Sequence, residues 1–262
     1  MKSIMNFIRS VRRDAPIVGY CPYLRYRYKS YRGQKKPMTV EIAGQSIHVR
    51  PGTPDLIVAF QSLRHEFDIL AKALPSSFSG IIVDAGGYIG TAALKLSTMY
   101  PEATIVSIEP SDTNFVLLLR NIENTPKIHA IKAALFTESD KAVPLQDRGT
   151  GDWGFSIALS DPSSAKGDLG DVMTITLEDI AARFPGQAIG LIKLDIEGGE
   201  HALFKDPASI LQDIPAVFVE LHDRIVPGCT EAFLTFSATR WIVNAGGEKL
   251  LSLKGKPDAL QS

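Results

Sequence analysis

Cysteine is nearly missing from this chain: two occur in 262 residues, Cys21 and Cys229, far apart and in no C-x-x-C pairing. That scarcity excludes a disulfide framework and a cysteine-built zinc site, and makes a reducing cytoplasm the expected location. No apolar run approaches the ~20 residues a bilayer span needs, and the start, Met1-Lys2-Ser3-Ile4-Met5-Asn6-Phe7-Ile8-Arg9, lacks a secretory hydrophobic region. A transmembrane segment is therefore not expected. Net charge is small too, at −1, but it is unevenly spread. Residues 1 to 36 hold ten Lys or Arg and one acid, Asp14, whereas the remaining 226 carry 18 basic and 28 acidic groups. The chain is a basic head on an acidic body. With 45% hydrophobic residues it can bury one large α/β core plus a small appendage.

The stretch that organises the rest is Ile81-Ile82-Val83-Asp84-Ala85-Gly86-Gly87-Tyr88-Ile89-Gly90-Thr91. A short branched apolar run passes through a carboxylate into closely spaced glycines and then into a helical pattern, which reads as a buried strand turning into a helix. Glycines let the backbone bend tightly and let a ligand lie against bare amides, and the helix beginning near Ile89 aims its positive end at that ligand. Nineteen residues after Gly90, Glu109 closes a second apolar run, where an acid can grip the hydroxyls of a ribose. Nicotinamide and flavin binders prefer G-x-G-x-x-G, but here Ala85 takes the place of the first glycine. A carboxylate at Asp84 would repel a pyrophosphate and suits a sulfonium-bearing amino acid, so S-adenosylmethionine is the expected cofactor.

Ahead of this turn, residues 1 to 13 set Met1, Ile4, Met5, Ile8 and Val11 on one helical face. Tyr20 to Arg32 then packs five of the seven tyrosines among basic residues. Such an arm can touch phosphates, nucleic acid or an anionic membrane. The favoured reading is that it packs its tyrosines on the body or on a second subunit, which allows a homo-oligomer. Met38–Ile42 and Ser46–Arg50 predict a hairpin about Ala43-Gly44-Gln45, and Asp55–Leu74 predicts a helix carrying His65 and Glu66 near the cofactor turn. Pro75 and the Ser-rich linker to Gly80 place a boundary, giving an N-terminal extension over 1–79 and a cofactor-binding domain over 80–262.

From Gly80 the expected order is strand 81–84, helix 89–99, strand 103–109, helix 111–123 and strand 127–134, a Rossmann-like doubly wound sheet, mostly parallel with an antiparallel strand near the C-terminus. Pro110 and the capped start at Ser111 set Asn114 near the ribose or amino-acid end, and Ala133-Ala134-Leu135 leaves room for an adenine ring. Residues 141 to 172 read as an irregular insertion with Trp153 as a cavity wall. Val172–Thr176, helix Leu177–Phe184 and strand Ala188–Asp195 resume the alternation.

Two strand exits are crowded with chemistry. Ile192-Lys193-Leu194-Asp195-Ile196-Glu197-Gly198-Gly199-Glu200-His201 brings together a lysine, three acids and a histidine, and Val219-Glu220-Leu221-His222 adds two more groups on the next strand. Lys193, Asp195 and Glu197 share a strand parity, as do Glu220 and His222, and open α/β sheets bind ligands at these ends. With Val83–Gly90 and Ile108-Glu109-Pro110, these blocks resemble the FkbM-type methyltransferases. The K-x-D-x-E-G-x-E block is the specific part, while the first motif is shared by class I S-adenosylmethionine enzymes generally. Val49–Asp55 resembles a segment seen ahead of that domain, so the resemblance spans about residues 49 to 222. The basic, Tyr-rich first 36 residues match nothing in the family pattern.

The resemblance implies O-methylation of a small-molecule acceptor, commonly a sugar or natural-product hydroxyl. Asp84, Gly86, Gly87, Tyr88, Gly90, Glu109, Pro110, Asn114 and Ala134 are then the expected cofactor residues. Asp195, Glu197, Glu220, His222 and Lys193 are the expected catalytic ones. His222, ordinarily neutral at pH 7, is the expected base. A divalent cation such as magnesium on Asp195, Glu220 and His222 is the less favoured alternative. The rival readings are an NAD-dependent oxidoreductase, weakened because no Tyr-x-x-x-Lys pair follows the glycine turn, and a non-catalytic cofactor- or nucleic-acid-binding protein resting on the basic head.

Overall fold

A computed structural model describes residues 2–147, 155–157 and 167–255; Trp153 lies outside the described residues. The chain opens with two helices, α1 (Lys2–Val18) and α2 (Tyr20–Tyr31), turned at Gly19. α1 runs past Arg13 and through Pro16, because Ala15 and Val18 carry its buried stripe onward. The expected arm is thus a second helix. Tyr23 and Tyr26 are its buried residues, and their hydroxyls donate to Asp14 Oδ2 at 3.2 Å and to the Thr53 carbonyl at 3.1 Å. A hairpin follows, β1 (Met38–Ile42) and β2 (Gln45–Val49), closed by Ala43 and Gly44, both at positive φ as a two-residue primed turn requires.

The expected helix over Asp55–Leu74 is shorter. α3 covers Asp55–Arg64, and a 3-10 turn covers Asp68–Lys72. The apolar spacing is met in two pieces, since the break lets Phe67 pack edge-on against Phe218 at 5.6 Å and lets Leu70 bury fully. Tyr100 anchors the 3-10 turn by donating to the Leu70 carbonyl at 2.7 Å.

β3 (Ile81–Ala85), α4 (Thr91–Met99), β4 (Thr104–Ile108), α5 (Asp112–Ile122) and β5 (Ile128–Ile131) then alternate as expected. The next segment differs: the anticipated strand over 127–134 splits, and β6 (Ala134–Leu135) leaves the main sheet. It pairs with β9 (Gly167–Ile175) in a four-stranded sheet ordered β6-β9-β7-β8, where β7 is Ala142–Asp147 and β8 is Phe155–Ile157. The insertion expected to be irregular is therefore built on a small sheet. α6 (Leu177–Arg183), β10 (Ile189–Leu194), α7 (Glu200–Lys205), β11 (Ala216–Glu220), α8 (Cys229–Phe236), β12 (Trp241–Gly246) and β13 (Lys249–Leu253) complete the chain.

The main sheet is ordered β12-β13-β11-β10-β3-β4-β5, parallel from β11 to β5, with β13 antiparallel to β11 and β12 antiparallel to β13. This is a Rossmann-like, mostly parallel doubly wound α/β fold. Its central strands β3, β4, β10 and β11 are apolar on both faces because helices cover both. Ile82, Ile105, Leu191 and Phe218 face one core with α3, α4, α5 and the hairpin, whereas Val83, Val106, Ile192 and Val219 face a second core with α6, α7 and α8. Each such residue, buried fully, stabilises by roughly 1.5–3 kcal/mol. The first core runs without a break from Ala15 and Val40 through Leu63 to Ile82 and Leu96, so the N-terminal extension shares its packing with the sheet. Strand order reverses between β3 and β10, and a crevice opens beyond their carboxyl ends.

Candidate active site

β3 and β4 end side by side, with Ala85 opposite Ile108. Gly86 bends the chain away at φ 79°, and a Cβ there would lie 1.8 Å from the Asp195 carbonyl oxygen. A Cβ on Gly87 would lie 2.3 Å from Ser107 Oγ. Both glycine amides donate to the Ile108 carbonyl, at 3.0 and 2.8 Å. They are not bare, which corrects the sequence expectation: the neighbouring strand has already taken them. Gly90, at φ 84°, starts α4 against Leu118 and Ile122 and does not line the cavity.

Glu109 sits at the end of β4, 4% exposed, and accepts from the amides of Tyr88 at 2.8 Å and Ser111 at 2.9 Å and from Asn114 Nδ2 at 3.3 Å. Burial pushes its pKa up to about 7, against the lowering pull of those donors. Asn114 Oδ1 accepts from Arg50 Nη2 at 2.9 Å. Arg50 also clamps Asp55 through Nε at 2.9 Å and Nη2 at 2.8 Å, and the Tyr88 hydroxyl donates to Asp55. This buried network joins the segment after the hairpin to the glycine turn and to Glu109.

Under the turn lies an ion pair. The register pairs Lys193 with Asp84, and Lys193 Nζ stands 3.2 Å from Asp84 Oδ1 while donating to the carbonyls of Gly86 at 2.8 Å and Ala85 at 3.4 Å. Burial alone would lower the ammonium's pKa, but Asp84 and Asp195 outweigh it and raise it. Asp84 is fully buried, accepts from Ser107 Oγ at 2.8 Å and does not line the cavity. The expected contact between Asp84 and the cofactor is corrected: strand alternation turns the carboxylate onto Lys193, where it fixes the turn from below.

The loop after β10 is held by Glu200, the first residue of α7 and fully buried. Its carboxylate accepts from the amides of Ile196 and Gly198, each at 2.8 Å, and lies 3.0 Å from His222 Nδ1. His222 Nε2 faces Asp195 Oδ1 at 3.6 Å and Glu197 Oε2 at 3.8 Å. Burial would lower this imidazole's pKa, yet Glu200, Asp195 and Glu197 together raise it to about 9. His222, expected as a neutral base, is buried among carboxylates that favour its charged form, and it does not line the cavity.

The groups that do face the crevice are Asp195, Glu197 and Glu220, with Lys193 behind them. Glu197 is held at φ 52°, and burial raises its pKa to about 7 despite the lowering effect of His222. Burial and the neighbouring Asp195 push Glu220 up as well. Lys249 Nζ lies 3.5 Å from Glu220 and bonds Glu66. The expected cation-binding trio is rearranged accordingly: one ligand atom each from Asp195, Glu197 and His222 lies within 4.8 Å of the others, and Glu220 turns to Lys249.

These groups form one end of a cavity of about 310 Å³. Its other end is a carbon-lined slot of Ile108, Pro110, Ala133, Ala134 and Leu135, with Gly86, Gly87, Tyr88, Glu109 and Asn114 between. Of the expected cofactor and catalytic residues, all of them among the described residues, Asp84, Gly90 and His222 fall outside the wall. Sequence reasoning missed Arg224 and Lys249, which line the cavity from beyond β11 and from β13. Neither sits in a motif; Arg224, two residues past His222, carried the nearest available signal. His65, weighed with Glu66, points to solvent and pairs with Asp68, whereas Glu66 lines the cavity.

A glycine turn, an acid at the second strand tip and a carboxylate cluster around one crevice describe a transferase-type cofactor site. The sequence profile of the methyltransferase FkbM domain matches residues 84–237, more than half of the chain. The chain belongs to the FkbM methyltransferase family, and methyl transfer is its activity. It is 24% identical over 199 residues to the hexuronic acid methyltransferase AglP of Haloferax volcanii, covering 74% of this chain and 77% of that protein. Similar solved structures include P. horikoshii TYW2 in complex with MeSAdo, with TM-score 0.42, 13% identity and coverage of 84% and 73% of the two chains. Another is a precorrin-6y C5,15-methyltransferase from Geobacter metallireducens, with TM-score 0.43, 8% identity and coverage of 72% and 87%.

Proposed function

We propose that the protein is an S-adenosylmethionine-dependent O-methyltransferase that acts on a hydroxyl of a small sugar or natural-product acceptor. The observation that carries the cofactor assignment is how the glycine turn spends its amides. In a dinucleotide turn the pyrophosphate lies against the amides of the glycine loop as well as the helix start, but the loop amides of Gly86 and Gly87 already serve Ile108, and the Glu109 carboxylate stands beside them. That surface repels a pyrophosphate and suits a ribose diol, with the carbon-lined slot matching a purine. The acceptor class is supported by the hexuronic acid named for the relative above and by carboxylates in the cavity wall that can take hydrogen bonds from hydroxyls.

When bound, S-adenosylmethionine supplies a methyl group on a sulfonium, so the protein has to align the acceptor oxygen and take its proton. Asp195 and Glu220 are placed to orient hydroxyls by accepting from them. Glu197 takes the proton, because its carboxyl faces the cavity and burial raises its pKa to about 7, the range that suits a general base at neutral pH. His222, charged and held by Glu200, keeps Asp195 and Glu197 at their spacing and offsets the negative charge between them. With that cofactor bound, transfer would leave a methyl ether and a neutral thioether, and Glu197 would hold the acceptor's proton.

Methyl transfer to a panel of uronic acids, neutral sugars and phenols, followed by mass spectrometry, tests the reading. A gain of one methyl on oxygen with a sugar supports it, and Glu197→Gln should lower kcat by roughly 10²–10⁴ with cofactor affinity kept. Methylation only at carbon or nitrogen would overturn the acceptor assignment. Undiminished turnover in Glu197→Gln would remove that residue as the base.

A further inference from the structure

The basic head has no part in the site, yet one of its surfaces is organised. On α2, Tyr20, Leu24, Tyr28 and Tyr31 are 59%, 46%, 61% and 89% exposed. At about 100° per residue they fall within an arc of roughly 80°, outside which lie the buried Tyr23 and Tyr26, Tyr26 on the opposite side of the helix. Arg25 and Arg32, both exposed, lie together along one edge of this stripe, beyond Tyr28. An exposed aromatic stripe edged by cations on a docked helix is the pattern of an interfacial helix: tyrosines sit at headgroup depth while arginines reach anionic headgroups.

We propose that the exposed face of α2 docks the enzyme onto an anionic lipid bilayer, lying in the plane of the interface. Charge decides between occupants. Ten basic groups against one acid in residues 1–36 complement an anionic surface, and the single acid, Asp14, is already paired with Arg13 at 2.6 Å. A second copy of the same face would bring like charges together. A nucleic acid would satisfy the arginines but leave Leu24 without an apolar partner. No helix among the described residues is long and apolar enough to cross a membrane, so attachment through this face is peripheral and salt-sensitive. An acceptor carried at a membrane surface would then meet an enzyme held there. The docking itself does not depend on the methyltransferase reading.

Sedimentation of the full-length protein with phosphatidylcholine vesicles, with and without 30% phosphatidylglycerol, tests this directly. Binding should require the anionic lipid and fall steeply with salt. The double variant Arg25→Gln/Arg32→Gln should weaken partitioning about 25-fold, since each basic group near such a surface contributes about fivefold. Tyr28→Ser/Tyr31→Ser should weaken it at low and high salt alike, and circular dichroism and cofactor affinity of both variants should match the parent. No binding to anionic vesicles overturns the proposal. So does loss of a dimer in Tyr28→Ser/Tyr31→Ser without any lipid effect, or tight binding to single-stranded RNA that anionic vesicles fail to displace.

Discussion

Lys193→Met tests whether the cofactor turn rests on a buried ion pair. The ammonium lies 3.2 Å from Asp84 Oδ1 and also ties down the Gly86 carbonyl at 2.8 Å, while Asp84 is fully buried. Methionine fills much of the same volume, so the chief loss is charge: Asp84 keeps Ser107 but no cation. Removing one partner of such a pair costs about 3–5 kcal/mol, a large share of the ~5–15 kcal/mol that holds a domain folded. If the stranded charge is the cause, Lys193→Met/Asp84→Leu should be more stable than Lys193→Met. Ser107 then loses an acceptor at a cost of about 1 kcal/mol, so a recovery of at least ~2 kcal/mol is expected. Urea unfolding followed by circular dichroism gives midpoint and slope for each variant. A single-variant cost below about 1 kcal/mol, or a double variant no more stable than the single, would refute the reasoning.

Gly86→Ala should destabilise more than an ordinary surface change and abolish cofactor binding, because its Cβ would lie 1.8 Å from the Asp195 carbonyl at positive φ; thermal melts with and without cofactor read both. Stability should fall as pH rises from about 4.5 to 9. Glu109 and Glu197, raised from 4.5 to about 7, and His222, raised from 6.5 to about 9, all bind protons more tightly when folded. Their contribution is full below the lower values and gone above the higher ones. Melting temperatures across that range at constant ionic strength check this, and a His222→Gln variant should lose the component between 6.5 and 9.

The sheet was legible because its strands are short apolar runs punctuated by glycine, proline and capping residues, and Ala43-Gly44 announced the hairpin outright. What failed was local. Spacing over Asp55–Leu74 suits a helix and also a helix followed by a 3-10 turn, and only the packing of Phe67 on Phe218 selects the second. Ala134 and Leu135 read as a strand end because no local signal says which sheet a two-residue strand joins. In the site, residue types and parities placed the carboxylates around one crevice, but not their protonation. Histidine's ordinary pKa predicts a neutral His222, whereas Glu200 lies next to it only through the fold. Asp84 shows the same limit, since a strand-end acid looks available to a ligand until the cross-strand lysine is seen.

The central claim is that the glycine turn and Glu109 hold S-adenosylmethionine and not a dinucleotide. Calorimetric titration of the purified chain with S-adenosylhomocysteine and with NAD, repeated on Glu109→Ala, measures this most directly. The parent should bind the thioether and not NAD. Glu109 already accepts from Tyr88, Ser111 and Asn114, so one further bond from a ribose hydroxyl, ~1.5–3 kcal/mol to the charged carboxylate, is expected, and the variant should bind at least tenfold more weakly. Tight NAD binding by the parent, or unchanged thioether affinity in Glu109→Ala, would contradict the account.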